Sequence, residues 1–255
     1  MRINHNINAM TTQGALFKAN RSLSKSLERL STGLRINRAS DDAAGLAISE
    51  NLRTQVRGAG QAQRNAMDTI AALNIAEGAA NEISDILQRM RELTLQSVND
   101  TLTDTERSYT NQEFTALVNE IDRIAGVTNY NGMKLMSETT GADRFGAGTA
   151  GATIWIDANS TLGTDSITVT IGTMASNTNG LSVSALSIGS QTGASAAISS
   201  LDSAISSVNS MRASVGADVN SLEHAVNNLI VSQTNQQAAE SQIRDVDFAS
   251  ETSMF

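Results

Sequence analysis

The sequence predicts a mainly α fold: a long antiparallel helical hairpin, or coiled-coil rod, carrying a small β-containing insert. Apolar residues recur at three-and-four spacing from Leu46 to Val98 and again from Leu201 to Leu229, giving each segment a stripe that it cannot bury alone. None of the 255 residues is a proline, so nothing removes a backbone donor from either segment. The stretch between them is rich in Gly, Ser and Thr. Two unfinished stripes around a polar middle require the chain to fold back on itself.

Composition agrees with a slender molecule. Aromatic residues make up 3% of the chain, with Trp155 the sole tryptophan, and the apolar 40% comes mainly from Ala, Leu, Ile, Val and Met. Aliphatic knobs suit helical seams better than a thick core. A formal net charge of -8, with no Lys/Arg run interleaved with aromatics, argues against nucleic acid. The absence of cysteine excludes a disulfide framework, a thiolate nucleophile and a Cys-type zinc site. Met1 to Asn20 has no apolar h-region with a small-residue cleavage site, and nowhere do 18 apolar residues follow one another. No membrane span and no cleaved signal are expected.

The first element places Ile3, Ile7, Met10, Leu16, Leu23, Leu27, Leu30 and Leu34 on one helical face. Arg21, Lys25, Arg29 and Arg35 lie on its polar side, the pattern of a helix on an anionic lipid surface, but it lacks Trp and the chain is acidic. The pattern breaks between Leu34 and Leu46, where Ser40, Asp41 or Asp42 can cap a new helix. That helix runs from about Asp42 to about Asn99, roughly 80 Å, with Leu52, Val56, Met67, Ile70, Leu73, Ile83, Leu87 and Met90 on the buried side. A shorter helix opens at Asp104 and Arg107, carries Phe114, Leu117, Val118, Ile121 and Ile124, and ends at about Ala125 with Gly126 as its boundary.

Asn131-Gly132 is a turn signal. Beyond it, Ile154 and Ile156, then Ile167, Val169 and Ile171, then Leu181, Val183 and Ala185 alternate as strands between Gly- and Asn-rich turns, although a Ser/Thr/Gly linker would share this composition. The last helix carries Leu201, Val208, Val215, Leu222 and Leu229 at intervals of seven, with Ile205, Val219 and Val226 between them, and reaches about Gln242 before Ile243 to Phe255 continues.

No chemistry is legible. His5 and His224 are far apart and belong to no HExxH pair, so each is read as a polar helix-face residue. Asp41-Asp42 has no phosphate loop or calcium loop around it and is read as a cap. Gly58-Ala59-Gly60 lacks GxGxxG spacing and a preceding strand. No catalytic, cofactor-binding or metal residue is assigned, and no cofactor is expected.

The assembled residues resemble bacterial flagellin. The resemblance lies in Arg2-Ile3-Asn4-His5-Asn6-Ile7-Asn8-Ala9, in the run from Leu30 to Ile48, in Gln88-Arg89-Met90-Arg91-Glu92-Leu93, in Asn119-Glu120-Ile121-Asp122-Arg123, and in Ser241-Gln242-Ile243-Arg244-Asp245-Val246-Asp247-Phe248-Ala249. It implies residues 1–41 as the N-terminal half of an inner core domain and 42–136 as the N-terminal part of a helical rod domain. Residues 137–196 become a variable outer β-containing segment, and 197–255 the C-terminal helix of the rod. It implies a structural, non-enzymatic subunit that polymerises into the extracellular flagellar filament for swimming. Its partners would be other flagellin subunits, the flagellar type III export apparatus, and filament cap and junction proteins. Export would leave no cleaved signal. The C-terminal match stops at about the start of the family's terminal core helix, which the resemblance would place beyond Phe255. Assembly and core packing fall to Leu23, Leu27, Leu30, Leu34, Leu201, Val208, Val215, Leu222 and Leu229, and the face read by a host Toll-like receptor resembles Arg89, Leu93 and Glu120. Ser and Thr of the middle segment are candidates for O-glycosylation. The alternatives are a hook–filament junction protein, which shares the terminal helices, and a coiled-coil surface adhesin, which leaves the N-terminal motif unexplained.

Overall fold

The computed structural model describes residues 6–137, 151–158, 165–177 and 179–254. Among them are five helices, α1 (Ile7–Thr32), α2 (Ala43–Val98), α3 (Asp104–Val127), α4 (Gln191–Arg244) and α5 (Phe248–Met254). Two antiparallel strand pairs complete the fold: β1 (Asn129–Tyr130) with β2 (Met133–Lys134), and β3 (Ala152–Trp155) with β4 (Ser166–Val169). The protein is thus mainly α with a small β insert. It divides into two compact units, Gln61–Leu229 and Met1–Gly60 with Ile230–Phe255, and both α2 and α4 run through each.

In the unit Gln61–Leu229, the inner stripe of α2 (Leu73, Ala76, Ala80, Ile83, Leu87, Met90) joins Phe114 and Ile121 of α3 and the heptad leucines and valines of α4 in one core. Ala66, Ala76, Ala80, Ala125, Ala194, Ala197 and Ala204 let three helices share a seam with few aromatics. The helices α2 and α4 are antiparallel, since Arg91 pairs with Asp202 at 2.6 Å while Gln191 donates to the Val98 carbonyl at 3.3 Å. Thr103 and Glu106 form a capping box at the start of α3. Arg107, 7% exposed, turns back to donate to the carbonyls of Ser97 (2.9 Å) and Asn99 (3.0 Å), which the end of α2 leaves without helical partners. The loop leading into α4 is fastened to the same corner: Ser97 donates to the Ile188 carbonyl at 2.5 Å, and the Asn111 side chain accepts from the Ile188 N–H at 2.8 Å.

Several expectations change here. Met67 is 55% exposed rather than buried, because Ala66 and Thr69 take the inward positions on that turn of α2. Gly126 lies inside α3, which closes at Thr128 in extended conformation, so it is not the boundary. Asn131 and Gly132, at φ 50 and 77, do make the predicted turn, joining β1 to β2. The third expected strand is absent: Leu181 and Val183 are buried in a loop, where Ser182 at φ 55 interrupts the extended backbone. That loop folds on itself, with the N–H groups of Leu181 and Val183 donating to Ala175 and Ser176, and Asp122 of α3 accepting from the N–H and hydroxyl of Ser176, both at 2.8 Å. The expected features at Ile3, His5 and Phe255 fall outside the described residues.

In the other unit, α1 ends at Gly33, whose φ of 70 is the left-handed turn that glycine adopts without penalty. Of the three candidate caps, Asp42 accepts from the Gly45 N–H at 2.8 Å. Asp41 instead holds the preceding turn, accepting from Asn37 and Arg38 N–H and pairing with Lys25 at 2.7 Å. Residues 33–35 pair with the end of α4: Arg35 N–H donates to Arg244 (2.7 Å), Val246 N–H to Gly33 (3.0 Å), and the Arg35 guanidinium to the Ile243 carbonyl (2.6 Å). Ile36, 1% exposed, is buried in this junction. The terminal helix does not run on unbroken past Ile243. It stops at Arg244, and α5 starts afresh because Asp247 accepts from the Ala249 N–H at 3.0 Å as a new cap.

Candidate interaction surface

The residues assigned to assembly and packing separate by location. Leu201, Val208, Val215 and Leu222 are fully buried and Leu229 is 8% exposed, so the α4 heptad row is internal to the subunit. On α1, by contrast, Leu23 and Leu27 are 41% and 49% exposed, and Leu16 and Phe17 reach 61% and 69%. Leu30 and Leu34 are half-buried. Each large aliphatic side chain left in water forgoes about 1.5–3 kcal/mol of burial, so α1 presents an unfinished interface.

The three residues assigned to receptor recognition do not form one cluster of contacts. Arg89 is exposed and bridges α2 to α3, but its partner is Glu113, at 2.8 and 3.0 Å, with Glu92 a turn further on at 3.2 Å. These bonds, Glu113 first, raise the Arg89 pKa above its ordinary value. Leu93 is 2% exposed and lies under this surface as core. Glu120 pairs with Arg123 of its own helix at 2.6 Å, which lowers the Glu120 pKa. Glu113 was findable by counting: with the α2–α3 corner centred near Thr101, a residue twelve positions before it faces one twelve positions after.

Towards the end of α3, Ile75 and Ala79 of α2 and Ile124 and Val127 of α3 line a shallow groove of about 320 Å³, closed by Arg123, Thr128 and Asn129. Ile75 is 44% exposed and Val127 58%. Among the described residues no group of three His, Asp or Glu could hold a metal ion, and no helix is long and apolar enough to cross a membrane.

Comparison with known proteins identifies the surface's context. Residues 3–141 match the bacterial flagellin N-terminal helical region, and residues 198–255 match the bacterial flagellin C-terminal helical region. The chain belongs to the bacterial flagellin family. It is 44% identical to the flagellar filament 33 kDa core protein of Treponema phagedenis over 98% of this chain and 88% of that one. It is 42% identical to the flagellin of Bacillus subtilis over 100% of this chain and 90% of that one. The crystal structure of Bacillus cereus flagellin shares 32% identity and a TM-score of 0.55, covering 69% of this chain and 94% of that one. A flagellar hook-associated protein of Vibrio parahaemolyticus shares the fold alone, at 17% identity and a TM-score of 0.62, covering 80% of this chain and all of that one. The flagellins are structural proteins, and this member is a filament subunit rather than a hook-associated protein.

Proposed function

We propose that the subunit works by adding copies of itself end on end into the filament for motility, with no catalytic step. The observation that carries this is the match of both ends of the chain to the flagellin helical regions; the exposed apolar side chains of α1 ahead of its contact with α5, Leu16, Phe17 and Leu23, add to it. Burial of such a row against neighbouring copies provides a driving force that rises with the area removed from water. Domain roles follow the family's: 1–41 as part of an inner core, 42–136 and 197–255 as the rod, and 137–196 as the outer variable segment. The filament would be extracellular, reached through the flagellar type III export apparatus without a cleaved signal, with cap and junction proteins as further partners. The lack of Pro and Cys supports such a route, because a chain threaded unfolded then meets neither slow prolyl isomerisation nor disulfide errors on refolding.

Negative-stain microscopy and sedimentation of the full-length subunit, the family's terminal core helix included, in a salting-out buffer test this reading. Long filaments of constant width are expected; a chain that stays monomeric at every concentration overturns it. A Toll-like receptor contact is supported at Arg89 by its exposure. Leu93 lies beneath that surface, and Glu120 is engaged with Arg123. Arg89→Ala is expected to weaken a receptor reporter response while leaving the melting temperature within the small range typical of surface ion pairs.

A further inference from the structure

We propose that Asn131 is a site of spontaneous deamidation, and that the fold protects the chain's second Asn-Gly step, Asn179-Gly180, from the same reaction. The reaction needs water and no other co-reactant. The Gly132 backbone nitrogen, after losing its proton, bonds to the side-chain carbonyl carbon Cγ of Asn131, and the Cγ–Nδ2 bond breaks to release ammonia. Water then opens the resulting five-membered imide at one of its two carbonyls. One opening leaves aspartate; the other leaves isoaspartate, in which the main chain runs through Cγ. Nothing is oxidised or reduced. Glycine is the following residue that best allows the attack, because no Cβ shields its nitrogen.

At Asn131 the structure leaves every participant open. Asn131 and Gly132 are both exposed, at the tip of the turn between β1 and β2. Among the described residues the Asn131 side chain has no hydrogen-bond partner, and the Gly132 N–H, which lies outside the ladder of Tyr130 and Met133, has none either. A Cβ built on Gly132 would meet nothing within 4 Å, so no neighbouring atom stands in the way of the attack. Ring closure has to twist the backbone out of its turn conformation, φ 50 at Asn131 and 77 at Gly132. Because β1 and β2 are 2 residues long each, opening that hairpin is local and costs little.

Asn179-Gly180 offers the same chemistry in the opposite setting. The Gly180 N–H donates to the Asn177 carbonyl at 3.1 Å and to the Asn177 side-chain oxygen at 3.0 Å, and these acceptors hold the proton that must leave before the nitrogen can attack. A Cβ built on Gly180 would collide with the Ala175 carbonyl oxygen, so backbone packs directly against this residue. The N–H groups of Leu181 and Ser182 donate to Ala175 and Asn177 at 2.8 Å each, and Leu181 and Val183 are buried, so this turn opens only with the loop it belongs to. At Asn131 the product also matters to its surroundings. Isoaspartate adds an atom to the main chain of a turn that sets the pairing of Tyr130 with Met133, just ahead of the Leu135 N–H bond to Thr128 at 3.2 Å. Either product adds one negative charge to a chain whose formal charge is -8.

The test uses the parent chain, incubated at mildly alkaline pH both folded and in denaturant. Mass spectrometry follows the two Asn-Gly peptides, and enzymatic methyl transfer to the free α-carboxylate identifies isoaspartate. In the folded chain Asn131 is expected to convert at least about tenfold faster than Asn179, the protection that a bonded loop gives a backbone amide. In denaturant the two rates are expected to converge, since both steps are then Asn-Gly in an open chain. An Asn131 that stays intact in the folded chain while it converts in denaturant overturns the site. An Asn179 that keeps pace with Asn131 in the folded chain, or a tenfold gap that persists in denaturant, overturns protection by the fold.

Discussion

Replacing Arg107 by methionine should unfasten the corner between α2 and α3. The guanidinium is 7% exposed and donates to the Ser97 and Asn99 carbonyls and to the Asp104 carboxylate, at 2.9, 3.0 and 2.9 Å. Ser97 is fully buried, so its carbonyl would be left without a donor at about 1–3 kcal/mol. Asn99 is exposed, and water takes over its carbonyl at small cost. The Asp104 side chain is 89% exposed, and an ion pair that open contributes less than about 1 kcal/mol. Methionine keeps the apolar stem and no longer has a charge to desolvate, which returns part of the loss. The net expectation is about 1–3 kcal/mol, or a fall in melting temperature of about 2–12 °C for a chain of this size. Circular dichroism melts measure it, and hydrogen exchange should show faster opening of the last turn of α2. Asp104→Asn is the control, expected to stay within about 1 kcal/mol. If the methionine variant melts with the parent, or the Asp104 control falls as far, the backbone bonds of Arg107 are not what hold the corner.

Three further outcomes follow from the geometry. Leu222→Ala, at a fully buried heptad position, should cost about 2–5 kcal/mol by chemical denaturation, whereas Leu23→Ala, 41% exposed, should leave the melt unchanged and impair assembly. The side-chain bond from Lys25, followed by the Arg38 N–H, lowers the Asp41 pKa from 3.8 to about 2. Because the folded value is the lower one, this stabilisation is present above pH 3.8 and fades as the pH falls toward 2. Melts of Asp41→Asn and the parent should therefore differ at neutral pH and converge near pH 2. Asp122→Ala removes the acceptor for two donors of Ser176, so limited proteolysis should cut the 171–184 loop sooner while α2 and α4 stay protected.

The helices were legible because their information is periodic. Seven-residue spacing from Leu201 to Leu229 picked out the buried row of α4, and the turn at Asn131-Gly132 needed only the positive φ that those residues tolerate. What escaped was decided by single side chains acting across the sequence. Met67 fits the α2 stripe by spacing, yet which edge of a stripe faces inward depends on where α3 and α4 lie. Leu181 and Val183 alternate like a strand, but alternation records burial of every second residue, and a loop tied to Asp122 through Ser176 meets the same condition. The α5 break at Asp247 was written in a cap residue that the amphipathic pattern overshadowed. The surface was least legible of all, because exposed residues carry no periodic requirement: Arg89 was found by motif, but its partner Glu113 only by the register of two helices.

The fastening of residues 187–191 has an evolutionary consequence. Ser97, Asn111 and the Gln191 bonds to Val98 and Asp100 fix the point at which the chain re-enters the helices, independently of the path it takes before arriving there. With both ends of the excursion tethered, doubling its length adds only about 0.6 kcal/mol of closure entropy. The segment before that point is thereby free to lengthen, shorten or be rewritten without shifting the register of α4 against α2.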